Sequence, residues 1–196
     1  IMVFGKRIKS LVFSTDLSII KNVNADAIIA VYPFTPQPII TQALLLAADI
    51  PVFAGVGGGL TKGQRVVNLA MFAEMQGATG VVLNAPTANA VVQHVAETID
   101  IPVVVTVARA DTDFEARLQA GANIFNVSAA AETPAIVRSI RERYPDVPII
   151  ATGGPTDESI LETIKAGANA ITWTPPSNGE IFRDIMAAYR ENKPHP

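Results

Sequence analysis

Short apolar runs alternate with longer amphipathic stretches along the whole chain. Three of the apolar runs follow an Asp-Ile-Pro or Asp-Val-Pro tripeptide, at residues 49–51, 100–102 and 146–148. The other runs follow a polar or Gly-Ala opening or lie near the amino terminus, and most are rich in β-branched residues, as expected of strands buried on both faces of a sheet. The predicted strands are residues 7–15, 27–31, 52–56, 80–84, 103–107, 124–128, 149–152 and 170–174.

The stretches between these runs have helical periodicity. In the third stretch, apolar residues recur at i, i+3, i+4 and i+7 from Val66, which predicts a helix with one buried face. Thr156 is expected to cap the seventh helix with an incomplete capping box, because Ser159 stands where Glu or Gln is usual. The predicted helices include residues 39–48, 62–76, 88–98, 113–120, 133–143, 157–166 and 179–191.

Strict alternation of strands and helices predicts an α/β fold with a parallel sheet, and eight such units predict a compact (β/α)8 TIM barrel. A length of 196 residues predicts a single domain over residues 1–196, with a short flexible tail at 193–196. Because typical barrels of this kind have about 250 residues, the loops must be short. Function is expected in the loops that follow the strands, at their carboxyl ends.

Composition excludes several classes of function. Charged residues make up only 17% of the chain and hydrophobic residues 49%, so a homo-oligomer that buries apolar helix surface is one expectation. The net charge of −3, without a basic block, speaks against nucleic acid as a partner. The absence of cysteine excludes disulfides and thiolate catalysis. With no apolar run long enough to span a membrane and no secretory signal, we expect a cytoplasmic protein without a membrane partner.

The most informative motif is Ala-Thr-Gly-Gly-Pro-Thr at residues 151–156, where the seventh strand leads into a helix. Glycine N–H groups and a helix amino terminus suit an anion, and barrel loops after strands seven and eight commonly bind phosphate. The alternative is a pair of tight turns without a ligand. The candidate ligand-binding residues of these two loops are Thr152, Gly153, Gly154, Thr174, Ser177 and Gly179.

A second glycine-rich segment, residues 55–63, follows the third strand. It has neither P-loop nor dinucleotide-binding spacing, but Gly57 and Gly58 would let the backbone approach a ligand closely. Lys62, at the start of the next helix, is a candidate catalytic residue, either as a counter-charge or as a desolvated amine nucleophile. The alternative is a solvated lysine at a helix start.

Polar residues at the ends of other strands complete the predicted site. Asn84 and Arg109 are candidate ligand-binding residues, and Asn126 and Asp16 are candidate catalytic residues. Asp16 is the only carboxylate directly at a strand end, so it is either a general base or the N-cap of the first helix. No set of residues has metal-ligand spacing, and neither a metal nor a cofactor is expected.

Residues 147–156 and 165–170 resemble the last third of the 2-keto-3-deoxy-6-phosphogluconate aldolases and, more loosely, other ribulose-phosphate-binding-type barrels, including the thiamine-phosphate synthases and the N-acylmannosamine-6-phosphate epimerases. The resemblance covers about residues 135–172 and implies that Thr152, Gly153 and Gly154 bind a substrate phosphate. The Schiff-base lysine of these aldolases has no counterpart in residues 124–128, and their catalytic glutamate is not matched either.

The leading hypothesis is an enzyme that acts on a small phosphorylated or carboxylated metabolite, as an aldolase-type lyase or an isomerase. The partner is then a small anionic ligand. Three alternatives stay open. They are a hydrolase in which Asp16 or Asp111 activates water, a non-catalytic ligand-binding or regulatory barrel, and an FMN-dependent oxidoreductase that would use the same phosphate loops.

Overall fold

The computed structural model describes residues 1–195, and its central feature is a closed barrel of eight parallel strands. The last strand pairs in parallel with the first, through Ile171 and Ser10, and thereby closes the barrel. This architecture confirms the predicted (β/α)8 TIM barrel. The barrel strands are β1 Ser10–Phe13, β2 Ala27–Ala30, β3 Val52–Gly57, β4 Gly80–Leu83, β5 Val103–Val107, β6 Ile124–Val127, β7 Ile149–Thr152 and β8 Ala170–Trp173.

One helix follows each barrel strand. These are α1 Leu17–Asn22, α2 Pro38–Ala47, α3 Gln64–Met75, α4 Asn89–Thr98, α5 Phe114–Gln119, α6 Thr133–Arg143, α7 Asp157–Lys165 and α8 Asn178–Arg190. A 3-10 turn, Ala130–Glu132, precedes α6. The prediction of an incomplete capping box on α7 is wrong, because the Thr156 N–H donates to Ser159 Oγ and the Ser159 N–H donates to Thr156 Oγ1. A serine hydroxyl therefore replaces the usual Glu or Gln.

An antiparallel hairpin that the sequence did not predict precedes the barrel. Met2–Val3 pairs with Lys6–Arg7, so the first barrel strand begins only at Ser10 and not at residue 7. Both turn residues, Phe4 and Gly5, have positive φ, which fits a tight hairpin turn. The usual Asn-Gly signal for such a turn is missing at these positions, so the sequence pattern does not indicate the hairpin.

The hairpin closes the amino-terminal end of the barrel interior. Val3 and Ile8 are almost completely buried against the lowest layer of inward-facing strand residues. That interior layer is apolar and includes Leu11, Ile29 and Phe53. The opposite faces of the strands pack under the helices in two further apolar clusters. Apolar side chains thus fill the amino-terminal end of the barrel interior, and polar inward-facing residues lie only near its carboxyl end.

The remaining general expectations have different outcomes. No helix within residues 1–195 has the length and apolar character needed to cross a membrane. Exposed apolar side chains on α8, such as Phe182 and Tyr189, are surface that an interface between copies would cover, but the homo-oligomer stays a prediction. Of the tail predicted at 193–196, residue 196 lies outside the described residues, and the Lys193 N–H donates to the carbonyl of Ala188.

Candidate ligand-binding site

The inward-facing residues of β5 to β8 change from apolar to polar at the carboxyl end of the barrel. Val104, Ile124, Ile150 and Ala170 belong to the apolar interior layer. Because side chains alternate along a strand, the residues two positions further face the same interior. They form the polar layer, which consists of Thr106, Asn126, Thr152 and Thr172. The mouth of the barrel is therefore lined by uncharged groups that donate and accept hydrogen bonds.

Two atoms of the polar layer are buried without a hydrogen-bond partner among the described residues, namely Asn126 Oδ1 and Thr172 Oγ1. Asn126 Nδ2 makes only a long contact of 3.5 Å with Thr106 Oγ1. An unpaired buried polar group costs about 1–3 kcal/mol of stability. The polar layer is therefore unfavourable for folding alone.

The glycines of the turn after β7 have structural reasons to be glycine. A Cβ on Gly153 would lie 2.7 Å from Ile160 Cγ1 and 2.8 Å from Ile171 Cγ2, so this glycine lets α7 pack against the barrel. The Gly153 N–H donates to the carbonyl of Thr172 at 3.2 Å and is not available to an anion. Gly154 has a φ of 82°, and its N–H makes no hydrogen bond within residues 1–195.

A cavity of about 420 Å³ opens beside this turn, between the loops after β6 and β7. We call it the β6–β7 cavity. Its lining consists of Ala130, Ala131, Pro134, Thr152, Gly153, Gly154, Pro155, Ser159, Glu162 and Thr163. The three residues that the sequence predicted for the turn therefore lie together on one cavity wall.

The loop after β8 is not part of that cavity. Thr174, Ser177 and Gly179 are all exposed, and none of them lines the β6–β7 cavity. Ser177 caps α8, and the carboxylate of Glu180 accepts hydrogen bonds from the Ser177 N–H at 2.8 Å and from its hydroxyl at 2.7 Å. These bonds, the backbone one first, lower the pKa of Glu180. An internal carboxylate thus already occupies the start of α8.

The glycine-rich segment after β3 folds into a tight turn against the end of β4. The Gly58 N–H donates to the carbonyl of Thr61, and the Asn84 N–H donates to the carbonyl of Gly57, both at 2.9 Å. A Cβ on Gly58 would lie 1.7 Å from Thr87 Oγ1, so only glycine fits there. The structure thus places Asn84, which was predicted as a separate strand-end residue, beside Gly57 and Gly58 of the glycine-rich segment.

This turn borders a second, smaller cavity of about 170 Å³. We call it the β2–β4 cavity. Its lining consists of Val31, Tyr32, Pro33, Phe34, Pro36, Gly55, Gly57, Gly59, Leu60, Thr61 and Asn84. Thr61 is only 4% exposed, and its hydroxyl is a further buried group without a partner among the described residues.

Two predicted cationic residues lie on the surface. Lys62 is exposed and makes no ion pair or hydrogen bond through its amine within residues 1–195. Arg109 forms a bidentate pair with Asp111, with Nε–Oδ1 at 2.9 Å and Nη2–Oδ2 at 2.6 Å. This hydrogen-bonded pairing raises the pKa of Arg109 and lowers that of Asp111. The charge of Arg109 is therefore already compensated by a neighbour.

Asp16 caps α1, as one of the two sequence interpretations expected. Its carboxylate accepts hydrogen bonds from the N–H and the hydroxyl of Ser18 at 2.9 and 2.7 Å, and from the Ile19 N–H at 3.3 Å. Asn178, at the start of α8, donates a further bond of 2.6 Å. The Ser18 side chain is the main cause that lowers the pKa of Asp16. A lower pKa makes this carboxylate a weaker base.

Sequence reasoning missed Thr172 and Thr61. Thr172 was detectable, because it stands two positions after Ala170 on a correctly predicted strand and must therefore face the interior. Thr61 had no such signal. Its burial depends on the turn that follows Gly57, whose shape comes from contacts with the distant Thr87.

Comparison with solved structures finds the same fold in several barrel enzymes. A Burkholderia cenocepacia protein assigned as a phosphonomutase is 15% identical, with the match covering 93% of this chain and 92% of that one, and has a TM-score of 0.73. A phosphonopyruvate hydrolase with oxalate and Mg²⁺ is 12% identical, with coverages of 95% and 84% and a TM-score of 0.70. A 2,3-dimethylmalate lyase is 13% identical, with coverages of 94% and 80% and a TM-score of 0.68.

These likenesses support the barrel, while the finer assignment to an aldolase family is not shown. The lyase is described as a member of the PEP mutase/isocitrate lyase superfamily, a different group from the 2-keto-3-deoxy-6-phosphogluconate aldolases. No protein-family model matches the sequence, and the comparison with curated proteins finds no match either.

The polar groups of the mouth do not fit the Mg²⁺ that one of these structures contains. Mg²⁺ is usually held through carboxylates, and the polar layer offers only hydroxyls and an amide. Within residues 1–195, no three His, Cys, Asp or Glu side chains come together as a ligand set. Asp16, at the end of the first barrel strand, is engaged in capping. The described residues at the mouth therefore do not form a Mg²⁺ site.

Proposed function

We propose that the chain is an enzyme that acts on a small phosphorylated or carboxylated metabolite bound across the barrel mouth. The unpartnered atoms Asn126 Oδ1 and Thr172 Oγ1 carry this proposal. A mouth that only needed filling would be apolar, as the other end of the interior is. The names of the similarly folded enzymes, which act on phosphonates and small carboxylic acids, support the substrate class.

The anionic group is proposed to bind at the wall of the β6–β7 cavity formed by Thr152 and Gly154. The free N–H of Gly154 favours negative charge there. The start of α7 contributes less, because Asp157 and Glu158 already stand in its first turn. Glu162 also lines the cavity, but it is exposed, so water screens its charge. The loop with Thr174, Ser177 and Gly179 is assigned a lesser role, because Glu180 already serves the start of α8.

The reaction class that best suits the mouth is a lyase or isomerase step through an enolate. The Thr172 hydroxyl and the Asn126 Nδ2 group, whose contact with Thr106 is 3.5 Å long, are proposed to donate hydrogen bonds to the oxygen on which negative charge develops, and Asn126 Oδ1 to accept one from a hydroxyl of the substrate. β6 carries no lysine, so a Schiff base on that strand is not part of the proposal. Lys62 is proposed for proton transfer, and Gly57, Gly58 and Asn84 for the remaining contacts with the substrate. Asp16 and Arg109 are assigned lesser roles, because Asp16 caps α1 and Arg109 pairs with Asp111.

A thermal-shift series with inorganic phosphate, phosphoglycolate and oxalate tests the proposal. We expect at least one anion to stabilise the protein, by about 2.7 kcal/mol at a hundredfold excess over its Kd. The Thr152→Val variant should lose this stabilisation, because its hydroxyl lies on the wall of the β6–β7 cavity. The matched control is Thr98→Val, the same change at an exposed residue of α4, which should keep it. A wild-type protein that no anion stabilises would sink the proposal.

A non-catalytic ligand-binding barrel is the second candidate, favoured by the uncharged character of the polar layer. It predicts the same stabilisation by anions but no turnover. Incubating the wild-type protein with a panel of phosphorylated and carboxylated metabolites, followed by NMR of the small molecules, separates the two. An FMN enzyme would additionally show the visible absorption of flavin in the purified protein.

A further inference from the structure

The β2–β4 cavity has the size of a binding site for a small group. Its volume is about 170 Å³. A cavity of roughly 150 Å³ holds a benzene-sized molecule of about six non-hydrogen atoms. Apolar side chains, among them Phe34 and Leu60, form much of its wall. The occupant must therefore be short and must have an apolar side.

Three hydrogen-bonding side chains line the same cavity. The Thr61 hydroxyl is buried and without a partner among the described residues. The Asn84 side-chain amide makes no hydrogen bond within residues 1–195, although its backbone is fixed by Gly57 and Thr87. The Tyr32 hydroxyl accepts a bond from the Gln37 N–H at 2.8 Å, which leaves its proton free to be donated. All three groups can donate to a carbonyl oxygen.

No charged side chain belongs to the lining of this cavity. A carboxylate moved into it would lose its hydration without gaining a counter-charge, which is unfavourable. An uncharged carbonyl or carboxamide loses less on burial and is satisfied by the same neutral donors. The uncharged lining of the β2–β4 cavity therefore favours a neutral ligand group, in contrast to the anion site proposed beside β7.

We propose that the β2–β4 cavity is a separate subsite that binds an uncharged carbonyl or carboxamide group of the ligand. Thr61 and Asn84 donate to its oxygen, and the apolar wall packs against its hydrocarbon side. The inference rests on the proposed function only in placing this subsite beside the substrate's anionic group. It assigns a role to Thr61, whose buried hydroxyl otherwise destabilises the fold.

The subsite is held in shape before any ligand binds. Thr87 packs against Gly58, and its carbonyl accepts a hydrogen bond from Arg117 of α5. Arg117 also donates to the carbonyl of Ala85 and to Asn89 Oδ1, both at 2.8 Å. This arginine thus ties the loop after β4 to α5. Preorganisation of this kind lowers the entropy that binding costs.

Isobutyramide and isobutyrate test the subsite, because they have the same shape and differ in charge. We expect isobutyramide to perturb the NMR signals of Thr61 and Asn84, with isobutyrate binding at least about tenfold more weakly. Soaked crystals should show the amide in the β2–β4 cavity. Equal or tighter binding of isobutyrate, or no binding of either compound, would overturn the proposal.

Variants at Thr61 separate binding from folding. Thr61→Val has the same shape without the hydroxyl, so it should raise the melting temperature and weaken isobutyramide binding by at least about tenfold. Thr61→Ser should retain binding. The matched control is Thr98→Val, at the distant end of α4, which should leave amide binding unchanged. Unchanged amide binding in Thr61→Val would refute the role of the hydroxyl.

The response to phosphate distinguishes this inference from the proposed function. Thr61→Val should be stabilised by phosphate, phosphoglycolate or oxalate as strongly as the wild type, since its change lies outside the β6–β7 cavity. Loss of amide binding with an unchanged anion response supports two subsites. Loss of both responses in Thr61→Val would contradict a separate neutral subsite.

Discussion

The two ends of the barrel interior differ in how completely their groups are satisfied. At the amino-terminal end, the hairpin residues Val3 and Ile8 cover an apolar layer in which every member is buried. At the carboxyl end, Asn126 and Thr172 present polar atoms with no partner among the described residues. Apolar burial stabilises the fold and unpaired polar groups destabilise it. The amino-terminal end therefore contributes stability, while the unpaired atoms of the mouth are the groups proposed to meet a ligand.

The largest expected effect comes from removing bulk at the apolar end. Phe53 is fully buried inside the barrel and packs over Gly80. We expect Phe53→Ala to lower the free energy of unfolding by about 3–5 kcal/mol, because it leaves a large cavity. Urea denaturation measures this. Phe34→Ala, at a side chain that is 71% exposed, is the control and should change stability little. Similar losses in both variants would break the contrast between core and mouth.

Gly58→Ala is the next most disruptive change, and it acts on the mouth. The added Cβ would collide with Thr87 Oγ1, and Gly58 has a φ of 99°. We expect a loss of about 1–3 kcal/mol from the strained backbone alone, together with loss of isobutyramide binding. Gly63→Ala isolates the clash, because Gly63 also has a positive φ but nothing within 4 Å of its Cβ position. Equal destabilisation of the two variants would show that the contact with Thr87 is unimportant.

Removing the cap at Asp16 is expected to have a smaller effect that depends on pH. Asp16→Ala should cost about 0.5–2 kcal/mol at neutral pH, because the first turn of α1 loses its acceptor. The hydrogen bond from Ser18, the largest cause, lowers the pKa of Asp16 in the folded state. The charged form therefore stabilises the fold above the unfolded pKa of about 3.9, and this contribution disappears as the pH falls through the folded pKa.

Unfolding curves of Asp16→Asn at neutral pH and at strongly acidic pH measure this dependence. The stability gap to the wild type should be present at neutral pH and shrink in acid. Asp146→Asn, at an exposed carboxylate before β7, is the control and should show no gap at either pH. Because asparagine also caps helices well, this variant isolates the charge, and a gap that grows in acid would contradict a stabilising role of the Asp16 carboxylate charge.

The scaffold was predictable because its signals are local and repeated. Apolar β-branched runs specify buried parallel strands wherever they occur, so the bounds of β5 and β7 agree with the sequence prediction residue for residue. The bounds of the helix α6 agree with its prediction as well. The amino-terminal hairpin was not predictable in this way. Its turn, Phe4-Gly5, is held by pairing across the hairpin and by burial of Val3 inside the barrel.

The candidate site was predictable only in part, because it depends on contacts between distant segments. Position at a strand end was enough to single out Asn126 and Thr152, whose interior orientation follows from alternation. The engagement of Asp16 by Asn178 joins residues that lie at opposite ends of the chain. The burial of Thr61 requires the packing of Gly58 on Thr87. Such pairings leave no pattern in a single sequence.

The smallest expected effect on stability is the one that tests the polar mouth most directly. Asn126→Leu replaces a side chain whose Oδ1 has no partner by an apolar group of similar volume. We expect the free energy of unfolding to stay constant or to rise by about 1 kcal/mol, since an unsatisfied buried group is removed. Urea denaturation in the absence of ligand measures this free energy. The carboxyl end of the barrel interior would then be more apolar, as the amino-terminal end already is.

The sign of this change distinguishes a binding mouth from a structural one. If the polar layer contributed to folding through hydrogen bonds, Asn126→Leu would lower stability by the amount that a buried unpaired partner costs, about 1–3 kcal/mol. Thr106 is the only group within reach of the Asn126 amide among the hydrogen bonds of residues 1–195, and its 3.5 Å contact is too long to be strong. A variant that keeps its full stability would therefore show that the Asn126 side chain does not serve the fold.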